Sequence, residues 1–145
     1  MDPAVRAVLG VCMRWIHIAS VVTLIGGFIY ARFVLAPALA SVPPTEGYRL
    51  GNLIAVGFRP ILFTVLVTTL GSGIYNYAMK ASCPPTYRLW LGIKLLLVLH
   101  IFAAAVLYSL RPANLAKRNR TALGIVISGL IVIAISSYLR YLSLR

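Results

Sequence analysis

Apolar residues gather along the chain in four long runs, at about Val11–Ala36, Asn52–Tyr75, Leu89–Leu110 and Ala122–Leu139. Each run is close to the roughly 20 residues needed to cross the hydrocarbon core of a bilayer as a helix. The pattern predicts an all-α integral membrane protein, one domain over residues 1–145 with four transmembrane helices. Short connections make an up-down-up-down antiparallel bundle the expected arrangement, with the first and third helices parallel. The intervening polar stretches, Pro37–Gly51 and Lys80–Arg88, are read as loops, and neither is long enough for a soluble catalytic domain.

Two details of the pattern modify the helices. Small residues at Gly26 and Gly27, at Gly71 and Gly73, and at the Gly124/Ser128 pair allow close helix approach or leave room for a flat ligand. Pro60 follows Arg59, so the second crossing either begins there or, if its helix already starts at Asn52, carries a kink.

Composition supports the membrane assignment, with 61% hydrophobic and 11% charged residues and a mean hydropathy of +0.93. The first run resembles a signal peptide in having Arg6 and Arg14 before it and Ala-Pro-Ala-Leu-Ala after it. It is longer than the usual apolar region of about 7–15 residues and carries His17 and Arg32, so a retained helix is expected.

The net charge of +12 would suggest nucleic acid in a soluble protein. Here the basic residues sit mainly at helix ends and in loops, where they anchor to headgroups and set topology; the expected partner is the lipid bilayer, with no nucleic acid. Arg6, Arg14, Lys80, Arg88, Arg140 and Arg145 fall on the amino-terminal side and Arg32, Arg49, Arg59, Arg111, Lys117, Arg118 and Arg120 on the other. The counts are nearly equal. The dense Arg111–Arg120 segment favours that side as cytoplasmic, which places both termini outside.

Polar groups inside the spans carry the candidate chemistry. The two acids, Asp2 and Glu46, lie outside them, which removes buried carboxylate pairs and acidic proton relays. What remains is His17, Lys94, His100 and Arg32. An ammonium inside a span costs roughly 2.5–3.5 kcal/mol on insertion scales, and Lys94 meets that cost by snorkelling, by holding an anionic ligand, or as a neutral metal ligand. His17 and Lys94 fall at similar depths on parallel helices. His100 lies about 9 Å deeper than Lys94 and about 120° around the same helix, so one compact site uses His17 with Lys94, whereas a wide planar haem could take His17 and His100 as axial ligands. Met13 shares the His17 face, and Cys12, Met79 and Cys83 lie on the same side of the membrane. Thioether, thiol and imidazole donors suit Cu(I) as the alternative metal, and Cys12 and Cys83 are also placed for a disulfide.

The segments WIHIASVVTLIGGFIYARFVLAPAL, RPILFTVLVTTLGSGIYNY and WLGIKLLLVLHIF resemble the copper-resistance D family of small membrane proteins. They are also similar to the bacterial oxygen-independent protoporphyrinogen oxidases. The markers are His17, Gly26, Gly27, Tyr30, Arg32 and Lys94, and the likeness covers about Arg14 to Tyr108. It departs from the oxidase pattern at Leu24, where a tryptophan is usual, and in the fourth helix, which lacks an Asn-Glu-Ile-Pro-like stretch.

The first resemblance implies copper handling at a bacterial inner membrane. The second implies an oxidoreductase with haem b, in which His17 and Lys94 match the essential positions. The leading expectation is a haem-binding redox protein whose cofactor lies between the first and third spans. His17 would be the axial ligand, Lys94 or His100 would complete the site, and Arg32 would pair with a propionate. A copper transport or resistance protein and a non-catalytic accessory subunit are the alternatives. The electron partner is not read from the sequence, and homo-oligomerisation is compatible with it.

Overall fold

The computed structural model describes residues 2–79, 85–110 and 115–142. The chain forms helix α1 (Pro3–Tyr30), a π turn (Ala31–Leu35), a short α2 (Ala36–Ala40), and the long helices α3 (Pro44–Ala78), α4 (Pro85–Leu110) and α5 (Leu115–Leu142). No strand occurs among the described residues. Four helical segments are long and apolar enough to cross a membrane: Pro3–Ala40, Pro44–Ala78, Pro85–Leu110 and Ala116–Leu142. The protein is an all-α, multi-pass membrane bundle.

Local chemistry sets the helix starts earlier than hydrophobicity alone suggests. Asp2 Oδ1 accepts from the Ala4 amide at 2.9 Å and Pro3 begins α1, so this helix starts eight residues before Val11. Proline also opens α3 and α4, where its missing N–H is harmless. The expected Pro37–Gly51 loop is instead almost entirely helical, leaving only residues 41–43 between α2 and α3. Pro37, which lacks the donor for a regular i→i−4 bond, stands two residues past the π turn, whose wider hydrogen bonding accommodates an irregular step in the helix. Pro60 lies inside α3, the case for which a kink is expected.

The Arg111–Arg120 segment likewise reaches into a helix. Its last six residues belong to α5, and Arg118 is buried rather than displayed to headgroups. At 1.5 Å per residue the 35 residues of α3 reach about 52 Å, beyond a hydrocarbon core of about 30 Å, so the helix ends stand in the interfacial layers.

The helices form a ring in which α1 packs on α3 and α5, while α4 packs on α5 and α3. The first and third spans, α1 and α4, therefore stand diagonally, with no Cα of one within 8 Å of the other among the described residues. The core between the helices holds Leu24 and Phe28 of α1, Leu62 and Leu66 of α3, Ile101 and Ala105 of α4, and Ile125 and Val132 of α5. Phe28 meets Tyr108 edge to face with ring centroids 5.3 Å apart. A second cluster, Tyr87, Ile135 and Leu139 with Trp90 against it, ties α4 to α5 at the other end. Side chains such as Val67, Leu96 and Leu99 point outward, as lipid-facing helices require.

Close approach uses particular glycines. A Cβ on Gly129 would lie 2.9 Å from Ile25 Cδ1, and one on Gly27 3.1 Å from Phe58 Cζ. Gly26, Gly71 and Gly124 face open space, so the packing role expected of the Gly124/Ser128 pair falls to Gly129, one helical step from Ser128.

Candidate functional site

Polar side chains join α1 to α3 in a three-rung ladder. Met13, His17 and Ser20 share one face of α1, at i, i+4 and i+7, while Thr68, Ser72 and Asn76 share one face of α3 at steps of four. Antiparallel packing pairs them in reverse order. Asn76 Nδ2 donates to the Met13 carbonyl at 3.5 Å, His17 Nδ1 lies 3.1 Å from the Thr69 carbonyl and 3.0 Å from Ser72 Oγ, and Ser20 Oγ meets Thr68 Oγ1 at 2.8 Å.

The tautomer of His17 follows from its partners. A carbonyl only accepts, so Nδ1 carries the proton and donates to Thr69; the Ser72 hydroxyl directs its own proton to the Thr68 and Thr69 carbonyls and can accept a share of the same N–H. In the neutral ring Nε2 is then the atom with a lone pair. Gly73 stands against the imidazole, where a Cβ would come 3.3 Å from Cε1. Its missing side chain is the room in which the ring sits.

Lys94 of α4 is half-buried and close enough to His17 for the two to interact electrostatically across the diagonal. Their helices, α1 and α4, have no Cα atoms within 8 Å of each other among the described residues. His100 faces outward and is exposed, beside the inward-facing Ile101; the structure does not bring it to His17. Arg32 lies in the π turn, half-buried, with its guanidinium 5.3 Å from the Phe33 ring centroid. Fifteen residues separate it from His17, roughly 20 Å along the helix, so it is not brought to the same site.

Met13 is half-buried, Cys12 and Met79 are exposed, and Cys83 lies outside the described residues. Among the described residues no three His, Cys, Asp or Glu side chains gather as a metal site.

At the opposite end of α3 the structure places a charge that the sequence pattern marks only as a headgroup anchor. Arg118 is 8% exposed. Its Nη1 donates to the Gly51 carbonyl at 2.6 Å and its Nη2 to Asn52 Oδ1 at 2.7 Å. The guanidinium carbon lies 5.7 Å from the Tyr108 ring centroid, a cation–π contact. Nearby, Arg59 Nε donates to the Ser109 carbonyl at 3.0 Å. A signal for Arg118 was present: it stands at i with Ala122, Ile125, Gly129 and Val132 at i+4, i+7, i+11 and i+14, the buried stripe of α5. The ladder's hydroxyls were visible too, as polar residues four apart inside an apolar run.

Comparison of the chain with protein-family models, with curated proteins and with solved structures finds no match.

Proposed function

We propose that the protein is a membrane redox protein that binds a b-type haem through His17, in a bacterial inner membrane. One observation carries this reading: His17 Nδ1 is held by a backbone carbonyl and a hydroxyl of α3, which fixes the ring and leaves Nε2 as the donor atom. Metal-ligating histidines have this arrangement, because the second-nitrogen hydrogen bond sets the tautomer, orients the ring and raises its basicity.

The donor set fits haem better than copper. A single oriented imidazole suffices for one axial position, whereas a Cu(I) site needs several soft donors together, and Met13, Cys12 and Met79 are spread between a half-buried face and exposed surface. Lys94, within electrostatic reach of His17, would hold an acidic substituent of the macrocycle or supply a second nitrogen. Haem bound here would supply one-electron chemistry within the membrane, and Thr69 and Ser72 orient the imidazole that would hold it. The resemblance to the protoporphyrinogen oxidases makes an oxidoreductase activity part of the same proposal, and with His100 exposed, Lys94 or a group from outside the chain would complete the site.

The test is the absorption spectrum of the detergent-purified protein, oxidised and dithionite-reduced. A Soret band that sharpens on reduction, with α and β bands, is expected, and His17→Ala should abolish it. Lys94→Met should be as severe if its amine binds iron, and milder if it pairs with a propionate. A colourless protein with stoichiometric copper would replace this reading with the copper one. A parent protein with neither signal would leave His17 as the middle rung of a packing ladder.

A further inference from the structure

A cavity of about 140 Å³ lies at the Arg118 end of the bundle, walled by α1, the π turn, α2, α3 and α5, with Tyr108 of α4. Its walls are overwhelmingly apolar, through residues such as Phe28, Leu39, Ala55 and Phe58. Tyr30 and Ile54, both exposed, stand on its rim, so it is reached from the flank of the bundle between α1 and α3. Gly27 helps to keep it open, because a side chain there would meet Phe58. The site is separate from His17, which lies ten residues before Gly27 on α1, about 15 Å along the helix.

Arg118 and Asn119 are the polar exceptions in this wall. The guanidinium has five N–H donors in a fixed fork, and the Gly51 carbonyl and Asn52 amide oxygen take one each. Nε is buried with no hydrogen-bond partner among the described residues, and so is Asn119 Oδ1. Carbonyls and an aromatic face solvate a cation without neutralising it. The chain cannot supply the missing charge from its side chains, because its two acids are engaged elsewhere: Asp2 caps α1 and Glu46 pairs with Arg49 at 3.0 Å. A buried guanidinium without a counter-charge is costly, and the cost falls when an anion binds beside it.

We propose that this cavity binds an anionic amphiphile, its carboxylate or phosphate head at Arg118 and part of one apolar tail in the cavity, entering from the lipid past Tyr30 and Ile54. An engineered apolar cavity of about 150 Å³ accommodates benzene, so the space matches a ring or a few methylenes of a tail whose remainder lies in the bilayer. Arginine is suited to both heads through paired N–H donors. A headgroup hydroxyl would satisfy Asn119 Oδ1. Two sources share this chemistry: a free fatty acid, and an anionic phospholipid of the surrounding membrane.

The experiment uses the full chain in phosphatidylcholine nanodiscs, photolabelled with a diazirine-bearing fatty acid and mapped by mass spectrometry. Labels are expected on Ile54–Phe58 and around Tyr108, competed by decanoate and not by decanol. Arg118→Gln should reduce labelling about ten-fold or more, the scale of a lost charge-assisted bond. Should that variant not fold, Ala55→Leu, which fills the cavity and keeps the charge, should give a similar loss. In phosphatidylglycerol nanodiscs, loss of parental labelling identifies the phospholipid as the source, and persistence identifies the free acid. Labelling spread evenly over all helices, equal competition by decanol, or labelling unchanged in the variants would overturn the proposal.

Discussion

His17 and Arg118 are both polar side chains turned onto α3, near its opposite ends, and the helices answer them differently. Around His17 the partners are neutral hydroxyls and a carbonyl, and each rung of the ladder closes within the α1–α3 pair. Around Arg118 the partners are also neutral, but the group is a cation, and a full set of hydrogen bonds would still leave a charge in a low-dielectric setting. A ladder of neutral groups is complete as it stands and becomes a site only through the one ring atom it leaves over. A buried cation beside an apolar cavity calls for an external partner. The two ends therefore predict different ligands, a metal-bearing planar group at one and an anion on an apolar tail at the other.

The sharpest way to break this contrast is a crossed experiment. His17→Ala should remove the Soret band by about ten-fold or more while leaving fatty-acid labelling intact, and Arg118→Gln should do the reverse. If either variant abolishes both signals while keeping its helical circular dichroism, the ends form one site. A smaller effect is expected from packing between them. Gly129→Val forces a branched side chain towards Ile25, whose Cδ1 would stand only 2.9 Å from the new Cβ, and should cost about 1–3 kcal/mol in detergent unfolding. Smaller again is the neutral ladder: Ser20→Ala removes the bond to Thr68 and should cost about 0.6 kcal/mol, with about 1.7 as the upper end for such bonds in membranes. A loss of about 3 kcal/mol there, well above that range, would mean the ladder is no mere seam. Gly124→Ala, with nothing within 4 Å of the added carbon, should change stability by less than about 1 kcal/mol, towards stabilisation, in the same assay.

The four crossings were legible because a membrane helix announces itself by length and uniform hydrophobicity. Their ends were not, because Asp2, Pro3 and Pro44 act through backbone geometry and capping, which hydropathy does not register. The outward turn of His100 beside the half-buried Lys94 is in keeping with the roughly 120° that helical rotation puts between them. That the first and third spans stand on a diagonal could not be read so directly, since it depends on which neighbours pack more closely. Arg118 escaped for a different reason: a basic residue beside Lys117 and Arg120 looks like one more headgroup anchor, and only its place on the Ala122–Ile125–Gly129 stripe marks it as buried.

The π turn at Ala31–Leu35 sets the helical phase of everything that follows it in the first crossing. One residue wound into a helix beyond the regular count turns all later side chains by about 100°. In a uniform α-helix Leu39, eleven residues after Phe28, would point within about 20° of the same direction; the π turn shifts it from that heading by about 100°, and Phe28, Ala36 and Leu39 all line the cavity. Deleting Val34, which is exposed and outside the cavity wall, should restore an unbroken α-helix and, because it takes out the extra residue itself, leave Ala36 and Leu39 facing the cavity with fatty-acid labelling retained. The π turn is in this sense a dislocation in a helix, an extra step of winding taken up before the chain reaches the wall at Ala36 and Leu39.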